Sequence, residues 1–200
     1  MSPSSAFPLR HRTRGHHRHH LLLFISLLLS SSSFTSAAGD HDNLIHQTCK
    51  ASSTTDPNIN YTFCVNALQA APASRCARLP RLGLLSLRLA RDNATDTRCY
   101  IRQYMKSKAK VLDPRAKAAL DDCLELYSDS IATLLEAMQD YRAKRFADVN
   151  VKVSSVIDGS DTCEDGFTEG GIASPLSRQN NFSFQLSAMV LSIVNKIQFH

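Results

Sequence analysis

The sequence of this 200-residue chain predicts an all-α fold: an up-down-up-down four-helix bundle preceded by a disulfide-stapled N-terminal helical hairpin. Glycine and proline occur seven times each and concentrate in short breaks between long segments of good helix formers. Those segments carry apolar residues at steps of three and four, the spacing of one buried helix face. Short breaks between long helices favour antiparallel packing of neighbours.

Four segments predict the bundle, which we expect over about 77–198. The first helix runs from about Leu79 to about Lys108, with a bend or a solvent-facing stretch at 91–97, where poor helix formers interrupt the apolar pattern. The second runs from about Pro114 to Arg142, because an N-cap aspartate precedes its first proline. Its expected core stripe is Leu120, Leu124, Tyr127, Ile131, Leu134, Met138 and Tyr141. The last helix is expected from about Asn181.

The third segment, after residue 145, has an ambiguous pattern. Val149, Val151 and Val153 alternate as in a strand, but no partner strand exists elsewhere in the chain. We therefore predict a helix. Its expected buried stripe is Val149, Val153, Val156, Ser160, Cys163 and Phe167.

The N-terminal hairpin is expected over about 43–71. Its two helices would be joined by a turn at 53–56, with Asp56 as the N-cap of the second helix and Pro57 at its first position. Cys49 and Cys64 flank this turn, so we predict that they form a disulfide, which contributes about 3 kcal/mol in the loop-entropy model.

The positions of the remaining four cysteines on the predicted helices indicate which of them pair. Cys123 and Cys163 fall near the facing stripes of two neighbouring helices and are predicted to form the second disulfide. Cys76 and Cys99 would lie about 34 Å apart along one helix and are predicted not to pair. We expect Cys99 to pack as a small apolar residue and Cys76 to be a free or intermolecular thiol.

Residues 1–38 have the composition of a secretory signal peptide, which leaves 39–200 as the mature domain. A basic stretch precedes an apolar core of about ten residues and a small-residue exit, too short to span a bilayer. Loss of this leader would remove five of the eight histidines and bring the formal charge from +5 to about +1. A nearly neutral domain argues against nucleic-acid binding, and no later segment suggests a membrane anchor.

An exported chain is open to N-glycosylation, and three Asn-x-Ser/Thr sequons are present. They begin at Asn60, Asn93 and Asn181. We favour Asn60 and Asn93, since Asn181 is expected at the start of a buried helix.

No motif for catalysis, metal binding or cofactor binding occurs in the chain. The acidic run 158–165 lacks the ligand spacing of a calcium loop. Histidines outside the leader are confined to His41, His46 and His200, at the ends of the chain. The residues alone therefore predict a non-enzymatic, exported bundle without a cofactor, acting through its surface.

Five stretches of the sequence together indicate a known family: "LIHQTCKASSTTDPNINYTFCVNAL", "GLLSLRLARDNATDT", "LDPRAKAALDDCLELYSDSIATLLEAM", "DVNVKVSSVIDGSDTCEDGF" and "QLSAMVLSIV". In this order they resemble the plant invertase and pectin methylesterase inhibitor domain. The resemblance covers about residues 43–198, and within the family it is strongest to invertase inhibitors that include pollen allergens. It implies a four-helix bundle behind a helical hairpin, with disulfides at the two cysteine pairs predicted above.

The resemblance also implies a function. Family members bind a carbohydrate-active enzyme one-to-one in the apoplast, and the vacuole is a further possible location. The invertase group places a Pro-Lys-Phe element into the acidic active site of its target. The matching stretch here is "YRAKRFADV", in which Lys144, Arg145 and Phe146 take those positions and lysine replaces the proline. A cation facing carboxylates beside an aromatic anchor is a plausible hot spot.

We predict a monomeric inhibitor of a cell-wall or vacuolar invertase. One alternative is an inhibitor of pectin methylesterase, for which the resemblance implies contact through the bundle helices. A second is a non-inhibitory bundle that carries an apolar ligand or serves as a storage protein.

Overall fold

A computed structural model describes residues 37–199, with side chains from residue 43, and contains no strand in that range. The all-α prediction is confirmed. Except for Ala37 and Ala38, the predicted leader lies outside the described residues. The elements in chain order are α1 (Ala37–Thr55), α2 (Tyr61–Ala70), a 3-10 helix (Pro72–Cys76), α3 (Leu79–Lys108), α4 (Pro114–Arg142), α5 (Phe146–Glu169) and α6 (Ser177–Gln198).

Helices α3 to α6 form a closed four-helix bundle. Each packs on the next in the chain, and α6 packs back on α3. Helices α4 and α5 are antiparallel, since Cys123 meets Cys163 at one end and Asp140 meets Lys152 at the other. The connections span only 109–113, 143–145 and 170–176, as expected for antiparallel neighbours.

The third bundle segment is helical, as predicted, and its whole predicted stripe is buried. Val151, which the strand pattern would have placed with Val149 and Val153, is instead 71% exposed. A helical period turns this side chain away from the core, whereas a period of two would bury it.

Helix α3 continues without interruption through 91–97. The solvent-facing stretch expected there is only partly found. Asp92 and Asp96 are exposed, but Ala94 and Thr97 are buried and continue the spacing of Ala90 towards the end of the helix. The buried face holds small residues here, so the apolar pattern is hard to recognise in the sequence although the helix face is continuous.

Two helix starts differ from the predictions. Helix α2 begins at Tyr61, and its N-cap is Asn60, whose side chain accepts a hydrogen bond from Phe63 N at 2.9 Å. Asp56 instead stabilises the turn, because its carboxylate accepts from Asn58 N at 2.9 Å. Helix α6 begins at Ser177, before the predicted Asn181.

The hairpin is held to α6 by polar contacts. Gln185 accepts a hydrogen bond from Asn60 N at 2.8 Å and donates to the carbonyl of Asn58 at 2.6 Å. Farther along α6, Ser192 Oγ donates to Ser52 Oγ at 2.8 Å. Because Gln185 satisfies two backbone groups of the turn, the start of α2 is fixed by a tertiary contact as well as by its own cap.

Two disulfides link the elements. Cys49–Cys64 joins α1 to α2 with a Cα–Cα distance of 5.7 Å, which confirms the stapled hairpin. Cys123–Cys163 joins α4 to α5, with Cα atoms 5.0 Å apart. Cys76 and Cys99 are both unpaired and exposed, so the expected packing of Cys99 is wrong. Cys99 follows two positions after the buried Thr97 and therefore faces away from the bundle.

Candidate functional site

The predicted target-binding residues lie in the connection 143–145 and at the start of α5. Helix α4 ends in a Schellman motif, in which Lys144 N donates to the carbonyl of Tyr141 and Arg145 N to that of Asp140. Lys144 takes the left-handed position of this motif, with φ of 59°. The motif satisfies two of the last carbonyls of α4 and reverses the chain within three residues.

This geometry differs from a proline-containing element. Proline fixes φ near −65° and has no N–H, so it could adopt neither the dihedral angle nor the hydrogen bond found at Lys144. Lys144, at the position where the resemblance implies a proline, therefore has a conformation that proline could not adopt. Here the loop is ordered by the helix end and by the side chains that hold Arg145.

Asp140 anchors Arg145 from within the bundle. Its side chain is 7% exposed, and its Oδ1 accepts hydrogen bonds from Arg145 Nε, at 3.0 Å, and from Arg145 Nη2. Its Oδ2 accepts from Lys152 Nζ at 2.7 Å. In a Schellman motif a hydrophobic contact often joins the two positions that Asp140 and Arg145 occupy here. In this chain an ion pair replaces that contact.

The charges around Arg145 form a small network between α4 and α5. Lys152 Nζ also lies 3.7 Å from Glu136, and Arg145 Nε lies 3.4 Å from Asp148. Hydrogen bonds from Lys152 and then Arg145 hold the pKa of Asp140 below its usual value, while Asp140 raises the pKa of Lys152. Arg145 remains 55% exposed, so its charge is positioned by the protein and still faces solvent.

Phe146 packs beside the loop on an aromatic support. Its ring meets that of Tyr141 edge-on at 5.6 Å, and Phe146 is only partly buried against the core. The Tyr141 hydroxyl donates to the carbonyl of Pro80 at 2.6 Å, which ties the end of α4 to the start of α3. Burial raises the pKa of Tyr141 to about 12, so its hydroxyl keeps its proton at physiological pH.

Two residues that support this site are not indicated by the motifs of the sequence. Asp140 lies three positions after the buried Ala137, so a carboxylate on the core face could have indicated an ion pair. Gly83 is the second. A Cβ atom there would lie 2.4 Å from Tyr141 Oη, and nothing in the sequence indicates that contact.

The acidic run 158–165 contributes Glu164 to a hydrogen-bond network between α4, α5 and α6. Glu164 accepts a hydrogen bond from Asn180 Nδ2 at 2.6 Å, and Asn180 Oδ1 accepts one from the Tyr127 hydroxyl at 2.7 Å. Burial alone would raise the pKa of Glu164, but hydrogen bonds from Ser177, Asn180 and Ser174 lower it overall. Within residues 43–199, no cluster of three or more His, Cys, Asp or Glu side chains suits a metal ion.

The three sequon asparagines differ in accessibility. Asn60 and Asn181 are exposed and line the same polar cleft of about 530 Å³ between α2 and α6. Asn93 is partly buried in mid-helix, and its Oδ1 is buried without a hydrogen-bond partner. The sequence favours Asn93 because Asn181 is expected at the start of a buried helix, but Asn181 is the more exposed of the two, so that reason is wrong. Glycosylation at the exposed pair stays a prediction.

Comparison with known proteins gives consistent matches. A family model described as plant invertase/pectin methylesterase inhibitor matches residues 43–193. A protein of Platanus orientalis named "Putative invertase inhibitor" is 41% identical over 152 residues, covering 76% of this chain and 88% of that protein. A pectinesterase inhibitor of Actinidia deliciosa is 30% identical over 126 residues, covering 63% of each.

Solved structures show the same architecture. A mutant form of a pectin methylesterase inhibitor from Arabidopsis has a TM-score of 0.59 and 25% identity, covering 72% of this chain and 95% of that one. No helix within residues 37–199 is long and apolar enough to cross a membrane. The resemblance noted in the sequence is confirmed, and the related proteins are named as inhibitors rather than as enzymes. The chain belongs to the plant invertase/pectin methylesterase inhibitor family.

Proposed function

We propose that this protein inhibits a plant invertase by binding one-to-one and blocking its active site. The observation that carries this proposal is the 41% identity, over most of both chains, to two Platanus proteins named as invertase inhibitors. The relatives named as pectinesterase inhibitors are 25–30% identical.

The contact with the enzyme is made by Lys144, Arg145 and Phe146. Arg145 carries a positioned, half-exposed positive charge, and Lys144 beside it is exposed. Phe146 offers an aromatic face that Tyr141 already orients, so little side-chain entropy is lost on binding. An acidic active-site cleft would attract both cations and accept the ring, which is the usual composition of a hot spot.

The site of action follows from the leader-like residues 1–38. Cleavage at about residue 38 would leave nearly all of α1 in the mature domain, with the disulfide Cys49–Cys64 intact. Both disulfides suit an oxidising, extracellular compartment. We therefore place the mature protein in the apoplast as a monomer, with the vacuole as the other location.

The proposal is tested by titrating the mature protein against a cell-wall invertase at acidic pH, with gel filtration of the mixture. Wild type is expected to form a one-to-one complex. Arg145→Ala with Phe146→Ala should weaken inhibition by at least about 2 kcal/mol, roughly thirtyfold. The matched control is Tyr100→Ala with Arg102→Ala, an exposed aromatic–cation pair on α3, which should leave the inhibition constant unchanged.

Pectin methylesterase is the second candidate target. The specific support is the likeness to solved pectin methylesterase inhibitors and the 30% identity to the Actinidia protein. If this enzyme is the target, it forms the one-to-one complex when it replaces the invertase in this titration, and the loop variant has little effect because the helices make the contact. A chain that binds neither hydrolase is the non-inhibitory bundle.

A further inference from the structure

An apolar groove lies directly beside the proposed target-binding loop. It has a volume of about 410 Å³ and opens between the start of α3, the end of α4 and the end of α6. Its walls are Pro80, Leu84, Tyr141, Phe146 and Ile197. Phe146 therefore contributes to two surfaces, since it borders this groove as well as the loop.

The groove has a rigid wall because α3 and α4 meet closely there. Gly83 leaves room for the Tyr141 ring, which would otherwise clash with a Cβ atom at 2.4–2.9 Å. The hydrogen bond from Tyr141 to Pro80 then fixes that ring against α3. A preformed wall of this kind binds an apolar group without first having to become ordered.

Two cations stand at the rim of the groove. Arg142 and Lys144 both line it, and both are exposed. Across residues 43–199 neither forms an ion pair, in contrast to Arg145, which is paired with Asp140 and Asp148. These two unpaired charges thus border an apolar surface. Such a patch is complementary to an apolar side chain that has a carboxylate next to it.

We propose that this groove is a second contact site for the inhibited enzyme, and that it receives an apolar side chain flanked by an Asp or Glu on the rim of that enzyme's active site. The inference rests on the proposed function, because the groove adjoins the loop that would enter the active site. The apolar side chain fills the space against Leu84 and Ile197. The neighbouring carboxylate pairs with Arg142 and Lys144.

Two variants test the groove without changing the loop residues Lys144, Arg145 and Phe146. Leu84→Trp fills the groove, and Leu84→Met is its volume-conserving control. Arg142→Glu reverses a rim charge in the last turn of α4. Its control is Lys108→Glu, which makes the same charge change in the last turn of α3 and therefore has the same cost against the helix dipole. Lys108 lies about 36 Å along α3 from Leu84, far from the groove.

We expect Leu84→Trp and Arg142→Glu each to raise the Kd for the bound hydrolase about tenfold, with the two controls near wild type. Isothermal titration gives the Kd, and thermal unfolding confirms that each variant is folded. The effect of Arg142→Glu should shrink at high salt, because exposed charges are screened. The effect of Leu84→Trp should not.

The outcomes separate this inference from the proposed function. If both groove variants bind like their controls while Arg145→Ala with Phe146→Ala loses binding, the loop is the contact and the groove proposal is wrong. If wild type binds neither hydrolase, the proposed function fails, and the groove proposal fails with it. Concentration-dependent dimers of the free protein that Leu84→Trp abolishes would assign the groove to a second copy and overturn the proposal.

Discussion

The two ends of the α4–α5 pair hold their buried polar groups in different ways. At one end the disulfide Cys123–Cys163 lies next to a network in which Tyr127, Asn180 and Glu164 satisfy one another. At the other end Asp140 is buried, but both of its partners, Arg145 and Lys152, extend towards solvent. No covalent link is present at that end.

This difference separates a structural end from the end that we propose binds the target enzyme. Tyr127 donates to Asn180, which donates in turn to Glu164, and both Tyr127 and Asn180 are buried, so these groups stabilise the fold and are not presented to a partner. Asp140 uses its carboxylate to hold the guanidinium of Arg145, whose side chain remains 55% exposed. A buried acid that orients a surface cation costs desolvation but presents a fixed charge to a partner.

Removing the covalent link should have the largest effect on stability. Cys123→Ala with Cys163→Ala opens a loop of 40 residues and is expected to lower the free energy of unfolding by about 4 kcal/mol. Cys49→Ala with Cys64→Ala opens a loop of 15 residues and should cost about 3 kcal/mol. Urea denaturation of both variants measures the difference. A larger loss from the hairpin pair would contradict the order expected from loop length.

The two buried tyrosines provide a matched test of the two ends. Tyr127→Phe leaves the buried Asn180 oxygen without its donor and should cost about 1–3 kcal/mol. Tyr141→Phe should cost about 0.5–1.5 kcal/mol, because the Pro80 carbonyl lies in a helix and can accept from the backbone.

Tyr100→Phe, at an exposed position on α3, serves as the control and should have no measurable effect. Chemical denaturation of the three variants gives the order. If Tyr141→Phe were the most destabilising, the hydrogen bond at the loop end would be the main structural tie, and the contrast between the ends would be wrong.

Helix identity could be predicted from the sequence because burial dictates a period. The stripes of α4 and α5 follow from apolar spacing alone, and they placed Cys123 and Cys163 on facing surfaces. The start of α2 does not follow from the sequence alone, since Asp56 and Asn60 are both good N-cap residues. A distant residue, Gln185, binds the backbone at Asn60, and local propensity contains no information about it.

The candidate site was only partly predictable. Lys144, Arg145 and Phe146 could be located by resemblance, but their conformation could not. The left-handed angle at Lys144 has no glycine to indicate it, and a hydrogen-bond pattern produces it. Asp140 carried the clearest overlooked signal, a carboxylate on a core stripe. The groove could not be predicted, because it depends on how closely Gly83 lets Tyr141 approach.

The smallest expected effect concerns the charge on Asp140. Its pKa is lowered by Lys152 and Arg145 from an ordinary value of 3.8, so the carboxylate stabilises the fold above that pH. This contribution is lost as the pH falls through the lower pKa of the folded state. Asp140→Asn should therefore reduce stability at neutral pH, but by less than either Tyr127→Phe or Tyr141→Phe, because both cations reach solvent. The difference in stability between wild type and Asp140→Asn should disappear in acid, at a pH below the ordinary pKa of 3.8.

Unfolding free energies of wild type and Asp140→Asn, measured from neutral pH to about pH 2, test this linkage. Glu164 titrates in the same range, but it is present in both proteins and cancels in the difference. Asp129→Asn removes a carboxylate at an exposed site on α4 and is the control for the loss of a surface charge. A deficit for Asp140→Asn that stays constant into acid would mean that its shape, rather than its charge, holds Arg145. The loop end would then lack the electrostatic character that distinguishes it from the disulfide end.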